Sequence, residues 1–254
     1  KKMGHTGTLD PMAEGVLVLT VGRATKLGEL LTSKEKEYVA GVDIGYLTDT
    51  LDSTGNVIKE KIVQHNINYK DLLKSFNTTY LQEVPIYSAV KVNGKKLYEY
   101  ARKNMSVELP KKEVTIEKIE LLDSTSYSFK FKCLVSKGTY IRSLIRDIAY
   151  SLNTYGTMKN LIRTRQGIFT LKDAYTLKDI EENNYKLLSI KECLPNIKTT
   201  VIEEPLLTKV KNGMVLDKFF KENMSLLLDK EGKEIAIYIA SGDNKVKPYK
   251  MIEV

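Results

Sequence analysis

Two segments near the middle of the chain, 114–122 and 127–135, put the tightest limit on what it can fold into. In the second, Tyr127, Phe129, Phe131, Cys133 and Val135 alternate with other residues, the period of a strand with one buried face. The residues between the segments, Asp123-Ser124-Thr125-Ser126, are turn formers. Together they predict a pair of strands joined by a tight connection. Directly afterwards Gly138-Thr139 open a stretch in which Ile141, Leu144, Ile145 and Ile148 recur at helical spacing and make one inner face.

Other elements arrange themselves around this frame. Tyr38, Ala40, Val42 and Ile44 alternate along a strand beginning at Tyr38. Thr48 to Gly55 is a polar, turn-rich loop. Asn68 caps a short helix running to Phe76. Tyr87 to Val92 reads as a strand ending at the turn signal Asn93-Gly94, with a short helix over 95–103. A later strand includes Leu161 and ends near Gly167. From about Thr199 the chain reads as a small separate β domain, with Ile235 to Ala240 as one of its strands.

Composition narrows the chemistry. The 254 residues carry 40 Lys+Arg against 32 Asp+Glu, a formal charge of +8 that suits a polyanionic partner, most simply a nucleic acid. The two cysteines, Cys133 and Cys193, form no CxxC, which suits a reducing cytosol, and the expected location is cytoplasmic. No apolar run is long enough to span a membrane. The first residue is a lysine rather than a methionine, which reads as a missing N-terminal segment. The only histidines are His5 and His65, and HExxH, GxxxxGK[ST] and GxGxxG are all absent. What remains is a cofactor-free reaction on an anionic substrate, in which a carboxylate can serve as nucleophile, general base or electrostatic stabiliser.

The candidate carboxylate is Asp10, in Gly4-His5-Thr6-Gly7-Thr8-Leu9-Asp10-Pro11. The two glycines let the loop curl, and Pro11 biases Asp10 toward an extended conformation. The run Val16-Leu17-Val18-Leu19 is expected to be a buried strand anchoring that loop.

Four segments in order carry a resemblance: the Gly4–Pro11 loop; Lys36-Glu37-Tyr38 with Thr48-Asp49-Thr50; Tyr87-Ser88-Ala89-Val90-Lys91 with Tyr98-Glu99-Tyr100-Ala101-Arg102; and Ser136-Lys137-Gly138-Thr139-Tyr140-Ile141-Arg142 with Leu161-Ile162-Arg163-Thr164. In this order they resemble the TruB family, the tRNA pseudouridine-55 synthases, over nearly the whole chain. The resemblance implies an α+β fold, a mixed and mainly antiparallel sheet with flanking helices, followed by a small β-rich PUA-like RNA-binding domain. It places the catalytic domain at 1–197, with an RNA-gripping insertion at about 85–113, and the PUA-like domain at 198–254. It implies isomerisation of one uridine in the tRNA T-loop, with uracil detached at N1 and rejoined at C5, by a monomer that needs no cofactor and no obligate protein partner. A guide-dependent relative acting on ribosomal RNA, or an RNA-binding or folding module without turnover, are the alternatives.

Residue roles follow from the same matches. Asp10 takes the place of the nucleophile, attacking either C1′ of the ribose or C6 of the base. Arg142 matches its arginine partner, and Tyr38 the tyrosine that stacks on the target base. His5 matches a residue that stands in for a flipped nucleotide, and Tyr140 and Leu161 match the uracil pocket. Lys26 and Lys91 are further expected substrate contacts. The chain departs from the family pattern at Val84, where a second proline is frequent, and at Ile162, where an arginine is frequent; a Lys-Pro segment that usually precedes Gly4 is also missing.

Overall fold

Lys111–Ser124 and Ser128–Ser136 form the expected hairpin, paired antiparallel with register shifts at Ile116/Lys118 and Leu121/Asp123. The computed structural model describes residues 2–32, 35–61, 67–242 and 244–253; His65 lies outside them. The hairpin sits within a seven-stranded sheet. Its order is Phe169–Thr170, Gly156–Gln166, Glu35–Ile44, Ser128–Ser136, Lys111–Ser124 and Thr79–Glu83. Glu14–Gly15 adds a short parallel pairing to Ile162 and Arg163. The remaining neighbours in that sheet are antiparallel.

Alternation decides which face of the sheet is buried. Tyr38, Ala40, Val42 and Ile44 join Phe129, Phe131, Cys133, Val135, Met158 and Leu161 in one apolar cluster, with the helices Tyr69–Ser75 and Ile141–Ser151 packed on it. Burial pushes the Cys133 thiol well above its ordinary range, as expected of core filler. On the opposite face Glu37 pairs with Lys132 at 3.0 Å and Asp43 with Lys159 at 3.3 Å, an ordinary polar exterior. Asn68 caps its helix by accepting from the Asp71 N–H at 3.2 Å.

Helix Ile141–Ser151 is buried on more than its apolar face. Ile141, Leu144, Ile145 and Ile148 pack on the sheet, while Arg142, Ser143 and Arg146 are also buried. The second face is polar and bonded: the Ser143 hydroxyl donates to the Glu83 carbonyl at 2.8 Å, and Arg146 donates to the Glu83 and Asp147 carboxylates at 2.9 and 2.8 Å. Leu144, fully buried, is the centre of the apolar side. Leu144→Ala should cost about 2–5 kcal/mol of stability through lost burial and a residual cavity. A denaturant midpoint left unchanged by that substitution would contradict this account of the core.

Two sequence expectations need correction. Val16–Leu19 is not a buried strand. Only Val16 is buried, Leu17 and Leu19 are exposed, and the strand here is Leu19–Val21, paired with Met3–His5. The apolar run is interrupted because Gly15 has φ +103°, with no room for a side chain against the Arg163 backbone, and Val16 N–H then donates to the Arg163 carbonyl at 2.9 Å. Tyr87–Val92 is likewise shortened to Lys91–Val92, paired with Lys95–Lys96 across Asn93-Gly94, whose φ values of 50° and 80° suit a tight hairpin turn. Residues 86–89 bend instead, because the Tyr87 and Ser88 carbonyls accept from Arg142 and from the Tyr98 N–H.

The chain divides into two compact units. The sheet and helices described so far, apart from the strands at Met3–His5 and Leu19–Val21, lie in the unit made of Leu9–Val16 and Ser33–Ala174. The other unit comprises Lys1–Thr8, Leu17–Thr32 and Tyr175–Val254. It is built on a five-stranded sheet, in the order Lys198–Val201, Met224–Leu228, Glu234–Ser241, Lys245–Met251 and Leu216–Asp217. Its core holds Ile202, Val210, Phe220, Leu227, Ile235, Ala236, Tyr238 and Val246.

Candidate active site

The site is assembled from three loops and one helix end. Asp10 opens a turn closed by Ala13 N–H to the Asp10 carbonyl at 2.9 Å, with Pro11 at the position its fixed φ favours. The pairing of Glu14–Gly15 with Ile162 and Arg163 pins that turn to the sheet. Arg142 lies in the first turn of helix Ile141–Ser151, and the two side chains meet although 132 positions separate them.

Their contact is a two-pronged one. Arg142 Nε donates to Asp10 Oδ2 and Nη2 to Asp10 Oδ1, each at 2.9 Å. The guanidinium has two more partners, the Thr50 carbonyl at 2.9 Å and the Tyr87 carbonyl at 3.1 Å. Its side chain is 5% exposed, against 30% for that of Asp10. The arginine is therefore a fixed internal fork, while the carboxylate keeps an open side toward an incoming ligand.

Asp52 is a residue that sequence reasoning left inside an undifferentiated polar loop. It is buried, and its carboxylate lies 3.8 Å from Arg142 Nε. It also accepts from the Thr50 hydroxyl at 2.8 Å and the Thr54 N–H at 3.0 Å. Asp52 thus shapes the loop whose Thr50 carbonyl holds the guanidinium. The only sequence signal was density: six hydroxyl-bearing or acidic residues, Thr48, Asp49, Thr50, Asp52, Ser53 and Thr54, mark an Asx-type turn, not a charge destined for the interior.

Tyr38 is buried at the same site, on the strand that pairs Tyr38 with Arg163. Burial raises the Tyr38 phenol above its ordinary value; the charge and hydrogen bond of Arg163 pull it partly back. At neutral pH it is a neutral hydroxyl beside a cation. Arg163 itself is buried, and its Nε donates to the Val16 carbonyl at 2.7 Å, so one side chain ties the Asp10 loop to the tyrosine strand. Tyr140 is the N-cap residue of the Arg142 helix, and burial raises its phenol too, opposed by a hydrogen bond with Ser88 and the field of Arg142, with the field of Asp10 adding to the rise.

Tyr140 is held by an edge-strand residue that drew no attention in the sequence. Gln82 is buried; its Oε1 accepts from the Tyr140 N–H at 2.8 Å and its Nε2 donates to the Tyr80 hydroxyl at 2.8 Å. Tyr80 in turn donates to Asp147 at 3.1 Å. Leu161 is buried opposite Ala40, within the apolar cluster.

The structure does not gather every expected residue into this unit. His5 and Lys26 belong to the other one. His5 is exposed at the end of its strand, where Nδ1 accepts from the Gly7 N–H at 3.4 Å, and Lys26 donates to the Met251 carbonyl at 3.1 Å. Lys91 is exposed on the small hairpin of the 85–113 segment. A cavity of about 520 Å³ in the sheet-bearing unit is lined by Leu51, Tyr80, Glu83, Arg146 and Asp147 among others, and not by Asp10 or Tyr38. Chemistry rather than hollow size picks out the site.

Comparison with known proteins points the same way. The profile described as TruB family pseudouridylate synthase (N terminal domain) matches residues 1–141, and that of the tRNA pseudouridylate synthase B C-terminal domain matches residues 142–195. A Bacillus pumilus protein named tRNA pseudouridine synthase B is 41% identical over 99% of this chain and 89% of its own length. Its Bacillus subtilis namesake is 41% identical over 95% of this chain and 82% of its own length. Among solved structures, a chain of an H/ACA RNP bound to a substrate RNA containing 2′-deoxyuridine matches with TM-score 0.68 at 21% identity, covering 100% of this chain and 77% of that one. A chain of a Cbf5-Nop10-Gar1 complex matches with TM-score 0.67 at 23% identity, covering 99% of this chain and 77% of that one. Those two likenesses are of fold.

Proposed function

This chain belongs to the TruB family of pseudouridylate synthases, and on that premise we propose that it isomerises uridine 55 in the T-loop of tRNA to pseudouridine. The observation that carries the reading is the forked Asp10–Arg142 contact, with both oxygens held at 2.9 Å and one side of the carboxylate left open. A carboxylate so aimed is an oriented nucleophile. Asp10 supplies the attacking oxygen, either to C1′ of the ribose or to C6 of the base. Tyr38 offers a neutral ring to stack on the uracil and a hydroxyl beside Arg163. Tyr140 and Leu161 wall the pocket around the flipped base.

The rest of the chain serves grip. The 85–113 insertion carries lysines and tyrosines suited to phosphates and bases. His5, Lys26 and Lys91 contact the RNA, and 198–254 acts as a PUA-like module. The protein works in the cytosol, as a monomer on the T-arm, without an obligate protein partner.

The test is incubation of purified protein with an unmodified tRNA transcript, with pseudouridine read out by position. Product at position 55 without any guide RNA supports the reading. Product that appears only with a guide RNA, or binding without product, overturns it in favour of the guide-dependent or the non-catalytic alternative. The charge of +8 gives a second expectation. The log of RNA affinity should fall linearly with the log of salt concentration, by roughly 0.7 per single-strand phosphate contacted. An affinity that stays flat from low to moderate salt would remove phosphate contacts as the main source of binding.

A further inference from the structure

Lys36 sits two residues before Tyr38 on the same strand, so the two side chains share the buried face of the sheet. It is half-buried, with Val135 opposite on one neighbouring strand and Gln166 on the other. The groups around its ammonium are cations. Arg163 comes from the strand Gly156–Gln166, Lys137 from the loop after the hairpin, and Lys112 from the hairpin's first strand. Lys112 reaches across to rest on Gly138, where φ is +86° and a side chain would collide with its ammonium. The left-handed backbone at Gly138 favours glycine, and the bare Cα leaves the Lys112 ammonium room beside it.

Among the described residues no carboxylate compensates the group. Glu37 falls on the other face of the strand, bonded to Thr164 at 2.7 Å and to Lys132 at 3.0 Å, and Glu35 lies 3.8 Å from Arg165. Among the described residues Lys36, Lys112 and Lys137 form no ion pair. Burial, followed by the fields of Arg163, Lys137 and Lys112, lowers the Lys36 ammonium to about 8. Like charges drawn together beside a site, with nothing to neutralise them, are the arrangement an anion completes.

We propose that Lys36, with Lys112 and Lys137 beside it, forms a binding site for one backbone phosphodiester flanking the uridine that reaches Asp10. The site rests on the functional reading above and adds a positioning contact to it. Arg163 contributes field rather than a contact, since its guanidinium is engaged with Val16 and Tyr38. Holding that phosphate fixes the ribose of the flipped nucleotide relative to the carboxylate.

The experiment uses the full chain and a T-arm RNA hairpin in which single phosphates are replaced, one at a time, by neutral methylphosphonates. One linkage next to the target uridine should cost the unmodified protein about tenfold in affinity. The same replacement should cost Lys36→Met less than about twofold, because the partner charge is already gone. Lys36→Arg, which keeps the charge, should bind like the unmodified protein. The pH dependence has a definite sign. Below about 8 the ammonium is already protonated and binding takes up no proton. Above it, binding must first protonate Lys36, so affinity should fall with rising pH, while Lys36→Arg stays flat. Equal losses at that linkage in the unmodified protein and in Lys36→Met overturn the site, as does a pH profile of the unmodified protein that matches Lys36→Arg. Pseudouridine yield on the unmodified hairpin is measured alongside. Product without Lys36–phosphate coupling sinks this site alone; coupling without product sinks the isomerase reading alone.

Discussion

Asp10→Asn is expected to abolish pseudouridine formation while leaving tRNA affinity within a few-fold of the unmodified protein. The substitution preserves size and can still accept one hydrogen bond from Arg142, so the loop keeps its shape. It removes the nucleophilic oxygen pair, and losing a covalent nucleophile costs catalysis as much as about 10⁶-fold in well-studied enzymes. Affinity is spared because phosphate contacts, not this carboxylate, supply most of it. The measurement is single-turnover yield on one transcript at saturating protein, with binding measured in parallel. Near-normal yield would remove Asp10 as nucleophile. Loss of binding in step with loss of yield would instead make the Gly4–Pro11 segment a structural part.

Arg142→Lys should be nearly as damaging. The guanidinium uses Nε, Nη1 and Nη2 on four acceptors: both Asp10 oxygens and the Thr50 and Tyr87 carbonyls. An ammonium is shorter, has three donors, and cannot match two carboxylate oxygens in one plane. Breaking one side of a buried charge pair costs about 3–5 kcal/mol, which corresponds to roughly a hundredfold or more in rate if it falls on the transition state. The same change leaves Asp52 facing a misplaced charge, so some of the loss should appear as reduced stability. A thermal scan separates the two. A lysine variant with a normal melting point and normal turnover would show that the fork is dispensable.

Periodicity made some of this molecule legible and hid the rest. The strand carrying Tyr38, the hairpin, the Asn68 cap and the apolar face of the Arg142 helix follow local rules, and each formed as those rules require. Val16–Leu19 misled because four apolar residues in a row carry no phase, and the deciding influence was distant: the Arg163 carbonyl and the left-handed Gly15. Tyr87–Val92 misled for a similar reason, since its carbonyls are taken by Arg142 and Tyr98 rather than by a neighbouring strand. The meeting of Asp10 with Arg142 has no signature in spacing; only the resemblance of whole motifs linked them. Asp52 and Gln82 look like surface residues in sequence, because polar side chains buried against distant partners carry no local pattern.

The strand Gly156–Gln166 touches the Asp10 loop on one side of its length and the Tyr38 strand along the other. It is also pinned by register shifts at Met158/Asn160 and Arg163/Arg165. Its tolerance of change is therefore a matter of length more than of composition. Gaining or losing a single residue between those two shifts would turn Leu161 and Arg163 to the solvent side and release Val16 from its acceptor. The same insertion at the exposed Thr125–Tyr127 connection would lengthen a turn and leave both neighbours in phase. The reach of the hairpin can thus change without disturbing the site, while the spacing along this one strand is held by counting.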